Sequence, residues 1–177
     1  PASRVLASGG TVHSFEPVAA NLYYLKRHCE LNNIDNIEIH ETLVGDTQEE
    51  VDFFESKNPS GQNARVVKKF PEKFYRTVRN QTTVDLCCSE RNIVPEVIKI
   101  DVEGSEINVL KGAKSTITKY QPLIFLSVHP AEIVLMGQTL EELSEIIDSL
   151  NYSCFEIDGA EALEFRLAEY LLKPVST

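Results

Sequence analysis

The chain has 177 residues, 42% hydrophobic and 25% charged, the proportions expected of a single globular domain with a sizeable core over residues 1–177. Its formal net charge of −10 argues against binding nucleic acid through the phosphates, which takes a surplus of Lys and Arg. No apolar run reaches the roughly 18 residues that span a membrane, no signal-peptide pattern opens the chain, and Cys29, Cys87, Cys88 and Cys154 lack C-x-x-C spacing, so free thiols and a cytoplasmic location are expected.

Thr11 to Phe15 reads as a strand ended by Glu16-Pro17, and proline suits a first helical turn. Val18, Leu22, Leu25 and Cys29 follow at helical spacing, with Asn32-Asn33 as the stop. Ile37 to His40 alternates like a strand that runs on toward Val44, and Val51 to Phe54 suggests another. Residues 57–81, with Asn58-Pro59-Ser60-Gly61 and a basic, aromatic stretch from Arg65, predict a flexible loop or lid with a short strand near Val66-Val67. Thr82 to Leu86 predicts a short strand.

The second half is more regular. An apolar strand over Glu96–Ile100 is followed by a helix over Glu106–Lys119, in which Ile107, Leu110, Ala113 and Ile117 share a face. Pro122 precedes the apolar strand Leu123–Val128. Thr139-Leu140-Glu141-Glu142 fits a capping box, the N-cap hydroxyl and the third-turn-position carboxylate satisfying free N–H groups. Tyr152–Ile157 and Leu163–Leu171 close the chain as strands. Strands alternating with amphipathic helices imply βαβ units and a mostly parallel sheet; the closing pair, joined across Asp158-Gly159, suits an antiparallel turn.

Chemistry is expected where strands end, because ligands of open α/β sheets bind at their carboxyl ends. Asp101, Glu103 and Glu106 put three carboxylates in six residues, with Gly104 between them, at a strand-to-helix turn. Such a cluster suits ligand orientation, general-base work or metal binding; the plain alternative is solvated turn acids, with Glu106 balancing the helix dipole. His129, ending the next strand, suits deprotonation of a hydroxyl or a bond to loop backbone. Glu16 suits the two hydroxyls of a ribose, or the start of a helix. Asp46 suits an adenine amino group, or an ordinary turn. His13, His28 and His40 read as structural or exposed, no metal-binding histidine pair is visible, and no metal is expected.

Together these residues resemble the FkbM family of S-adenosylmethionine-dependent methyltransferases. The matching pieces are Val12-His13-Ser14-Phe15-Glu16-Pro17, Asn32-Asn33 with Ile37 to Asp46, Ile98 to Glu106, and Val109-Leu110-Lys111-Gly112-Ala113. The resemblance implies an α/β fold: a Rossmann-like class I methyltransferase sheet of seven strands, mostly parallel with the last strand antiparallel, and helices on both faces. It implies methyl transfer from S-adenosylmethionine to a hydroxyl oxygen of a sugar-like or natural-product acceptor. By it, Glu16 holds the cofactor ribose, Leu43, Val44 and Asp46 border adenine, and Asp101 lies near the methionine moiety. Glu103, Glu106 and His129 then face the acceptor.

Two departures stand out. The Asp-x-Gly-x-x-x-Gly loop of that family, after its first strand, is absent, and Gly9-Gly10 lies too close to the strand ending at Glu16 to replace it. That first strand would sit between the strands ending at Glu16 and Ile100. Its absence leaves two edges to be paired, so we expect the native N-terminal part to be lacking or another segment to fill the gap. Ser127 also stands where the family often has Glu. The other classes open to this sequence are a non-catalytic scaffold that keeps the fold and a dinucleotide-binding oxidoreductase using Glu16 for ribose.

Overall fold

The computed structural model describes residues 9–56 and 74–175 as a mixed α/β fold. β1 (Val12–Phe15) and β2 (Ile37–His40) pair in parallel, with α1 (Ala19–Leu31) as the crossover. The chain then leaves this sheet at Thr42, whose hydroxyl donates to the Asn80 carbonyl at 2.7 Å. β3 (Leu43–Val44) is therefore a separate strand, parallel to β5 (Phe74–Thr82), and β4 (Glu49–Ser56) pairs with β5 in antiparallel register. The third sheet has the order β6 (Val97–Ile100), β7 (Leu123–Val128), β9 (Ala168–Pro174), β8 (Tyr152–Glu156). β6 and β7 are parallel, and β9 runs antiparallel to both neighbours, so β9 alone is reversed in this sheet.

The expected single, mostly parallel sheet is thus seen as three hydrogen-bonded sheets, with as many antiparallel as parallel strand pairs. The reversed closing strand agrees with expectation. β1 pairs with β2 and β6 with β7, and among the described residues neither pairs with the other.

The core gathers around β7. Ile124, Leu126 and Val128 are fully buried and meet Ile107 and Leu110 of α3 (Glu106–Gly112). α6 (Leu140–Ser149) carries the predicted capping box, with Thr139 accepting from the Glu142 amide and the Glu142 carboxylate accepting from the Thr139 amide, both at 3.1 Å. All four cysteines are free; Cys87 and Cys88 are buried on α2 (Val84–Arg91), and burial pushes both thiols up. Among the described residues no helix is long and apolar enough to cross a membrane.

Three local expectations change, and one element is added. The last part of the expected lid is strand β5, because its cations find partners across the hairpin: Arg76 bonds Asp52 and Arg79 bonds the buried Glu55, each at 2.6 Å. Residues 57–73, with Val66-Val67, lie outside the described residues. Thr82 ends β5 rather than starting a strand, and Thr83 caps α2 by accepting from the Leu86 amide at 3.0 Å. The helix expected over Glu106–Lys119 breaks at Ala113 into α3 and α4 (Lys114–Tyr120), and the amides freed at Ser115 and Thr116 donate to the Asp85 carboxylate. A further short helix, α5 (Pro130–Leu135), follows β7 with proline in its first turn.

The break coincides with a close approach of backbone. A Cβ on Gly112 would meet the Gly45 carbonyl oxygen at 2.0 Å, so the end of α3 rests on the turn after β3 only while residue 112 is glycine. Gly112→Ala should lower stability by roughly 1–3 kcal/mol through overpacking, read from the shift of the urea midpoint.

Candidate active site at the ends of β6 and β7

β6 and β7 are parallel neighbours, with Ile100 opposite Leu126, so Asp101 and His129 leave the same edge of the sheet. After Asp101 the backbone turns sharply: Glu103 has φ 50 and Gly104 φ 105. A side chain at Gly104 would strike the Glu132 backbone of α5 at 2.8 Å, so glycine is required twice over, by conformation and by space. The turn delivers Glu106 into α3 fully buried.

A carboxylate is costly to bury without hydrogen bonds. Glu106 Oε1 accepts from His129 Nδ1 at 2.7 Å and from the Gly104 amide at 3.2 Å. Glu106 Oε2 is buried and has no hydrogen-bond partner among the described residues. With Nδ1 turned to Glu106, the ring presents Nε2 on its other side. That atom faces Asp101 Oδ1 at 3.7 Å and Glu103 Oε1 at 3.8 Å, ion-pair range but too long for hydrogen bonds. The arrangement is an imidazole held by a buried carboxylate on one side and facing two carboxylates on the other.

Asp101, Glu103, Glu106 and His129 are therefore brought together. Glu106 is not the solvated dipole partner that its position suggested; it is the buried centre of the group. Glu16 stands on another sheet at the end of β1, where its two carboxylate oxygens accept from the Val18 amide at 2.8 Å and from Asn21 Nδ2 at 3.2 Å. Leu43, Val44 and the exposed Asp46 stand on and after β3, beside the end of α3.

Sequence reasoning missed a linked group beside Asp101. Ser127 lies opposite Glu169 in the β7–β9 register, and both bond Lys99, with Lys99 Nζ 2.8 Å from Glu169 Oε1 and 3.8 Å from Asp101 Oδ2. The Lys99 ammonium holds the Glu169 carboxyl below its usual range. Only the β9 register, invisible in composition, pairs them. Reasoning also missed that His13 and His40 meet. On the face of β1 and β2 that carries them, His13 Nδ1 is 3.1 Å from His40 Nε2, with Glu38 alongside. Burial, then Arg91 and His13, lowers the His40 imidazole from its usual value.

The described residues thus form a mixed α/β fold with an acid–histidine group at the ends of two adjacent parallel strands. Residues 2–154 match the family described as the methyltransferase FkbM domain, and the chain belongs to that family. The crystal structure of the methyltransferase FkbM from Methylobacillus flagellatus KT is similar, with a TM-score of 0.56 and 21% identity, over 93% of this chain and 36% of that one. At that identity the likeness is one of fold, and the chain spans about a third of that protein's length. Among curated proteins, none matches the chain.

His129→Ala leaves the buried Glu106 with the Gly104 amide as its hydrogen-bond donor, and should cost about 1–3 kcal/mol in urea denaturation. Glu169, lowered by Lys99, contributes stability that is present above its unfolded-state value and lost as pH falls through its folded one. In Lys99→Met that contribution should vanish: the Glu169 midpoint followed by carbon NMR should rise, and the two proteins' melting temperatures should converge as pH falls.

Proposed function

We propose that this domain carries out methyl transfer from S-adenosylmethionine to a hydroxyl oxygen of a sugar-like or natural-product acceptor. Family membership supports the reaction type, and the observation that carries the site assignment is the Glu106–His129 pair, whose open Nε2 lies beside Asp101 and Glu103. The donor set fits the cofactor: it is anionic and half-exposed at Asp101, matching a ligand with a cationic sulfonium and amino group. Bound there, S-adenosylmethionine supplies an electrophilic methyl group.

The chain's own residues have distinct tasks in this reading. Asp101 holds the methionine end, and Glu16 takes the ribose hydroxyls on lone pairs left beside its bonds to Val18 and Asn21. Leu43, Val44 and Asp46 border the adenine. Glu103 orients the acceptor, and His129 Nε2 takes the hydroxyl proton while the oxygen attacks in line. Glu106 fixes the imidazole tautomer and stabilises the imidazolium that forms, as a carboxylate behind a general-base histidine does. We read the three sheets as sections of one Rossmann-like sheet with helices on both faces, and β6-β7-β9-β8 as the half with its last strand reversed. The four free thiols fit a cytoplasmic setting, and the excess of acid fits an acceptor other than nucleic acid.

Calorimetry with S-adenosylhomocysteine should give saturable binding, weakened on the order of tenfold or more by Glu16→Gln. With radiolabelled cofactor and polyol acceptors, His129→Gln should lower turnover by roughly 10²–10⁴-fold while the affinity for S-adenosylhomocysteine changes less than about twofold. A folded protein, extended upstream of Pro1, that binds no S-adenosylhomocysteine overturns the assignment in favour of a scaffold. Preference for a nicotinamide dinucleotide would favour an oxidoreductase instead.

A further inference from the structure

We propose a second site, remote in function from methyl transfer: a divalent transition-metal site, best suited to zinc, built from His13, Glu38 and His40. His13 and Glu38 face each other in the parallel register of β1 and β2, and His40 lies two residues further along β2 on the same face. His13 Nδ1 is the common corner, 3.1 Å from His40 Nε2 and 3.6 Å from Glu38 Oε2. The three ligand atoms all lie within 4.8 Å of one another.

Those separations match what a metal demands. Two ligands about 2.0–2.1 Å from a tetrahedral zinc stand roughly 3.3 Å apart, between the two observed edges. The donors are also the right kind, two imidazoles and one carboxylate, leaving a fourth position for water. The proton shared between the facing nitrogens leaves for solvent or an outer ring nitrogen as metal binds, so that both then present lone pairs to it. Phe15 stacks on His40 with ring centroids 4.6 Å apart and planes 19° from parallel, fixing the aim of that ring before metal arrives. Arg91 Nη1 lies 3.8 Å from Glu38 Oε2 and competes for the same carboxylate, so it tunes affinity downward. A metal here would clamp β1 to β2 just before Glu16, whose amide already donates to the His40 carbonyl at 3.0 Å.

Titration of the whole chain with zinc or cobalt(II) under reducing conditions tests this. One equivalent should bind, raising the melting temperature, and the cobalt form should show intense tetrahedral bands without thiolate charge transfer. His40→Ala and His13→Ala should each weaken zinc on the order of a hundredfold, Arg91→Ala should strengthen it, and His28→Ala should leave it unchanged. Imidazole NMR of the unaltered chain covers the case in which a histidine variant fails to fold: zinc should shift the His13 and His40 rings and spare those of His28 and His129. Absence of saturable binding, thiolate bands, equal affinity in His40→Ala, or shifts confined to other histidines would each overturn the site and leave a hydrogen-bonded histidine pair only.

Discussion

The buried carboxylate of Glu106 is the constraint on which the rest of this domain depends. It sits where solvent cannot reach it, so it must be met by protein donors. Those donors come from two directions: His129 from the end of β7 and the Gly104 amide from the turn after β6. Satisfying one side chain thus fixes the turn, the start of α3 and the orientation of the imidazole together. The turn in turn needs the left-handed backbone at Glu103 and Gly104, a local strain that the Glu106 bonds and the packing of α5 offset. An imidazole with one ring nitrogen held and the other facing outward is the by-product of solving a burial problem.

α3 carries that constraint across the molecule. Its first residue is Glu106, its middle buries Ile107 and Leu110 against the β7 core, and its last, Gly112, lies against the Gly45 carbonyl beyond β3. One short helix therefore relates the acid–histidine group to the turn that carries Asp46. Lys99, Ser127 and Glu169 form a parallel fastening on the other side of Asp101, with β6, β7 and β9 each contributing one group. Asp101 lies between the His129 ring and the Lys99 ammonium.

What was legible in the sequence follows the range of the forces involved. β7 and the α6 cap were readable because their signals are local: a mostly apolar run after a proline, and a capping box four residues long. Asp101, Glu103, Glu106 and His129 were readable because they follow two adjacent apolar strands. β5 was not, because its charged residues look like a solvated flap until Asp52 and Glu55 are placed opposite them. The split between α3 and α4 was hidden in the Gly45 carbonyl, more than sixty positions upstream of Gly112. Histidine pairing across β1 and β2 depends on a parallel register that composition does not encode, so His13 and His40 passed as unrelated structural residues.

The reversal of β9 has a consequence for how the domain comes into being. β7 and β8 are both made before β9, and each takes β9, not the other, as its partner. The bond from Lys99 to Glu169 spans 70 positions, a long loop to close. A nascent chain therefore holds the strand that ends at His129 with one edge bare throughout the synthesis of residues 129–167, and such edges are where chains associate wrongly. The edge of β7 that β9 covers in the finished fold, beside Asp101 and His129, is thus supplied late in synthesis.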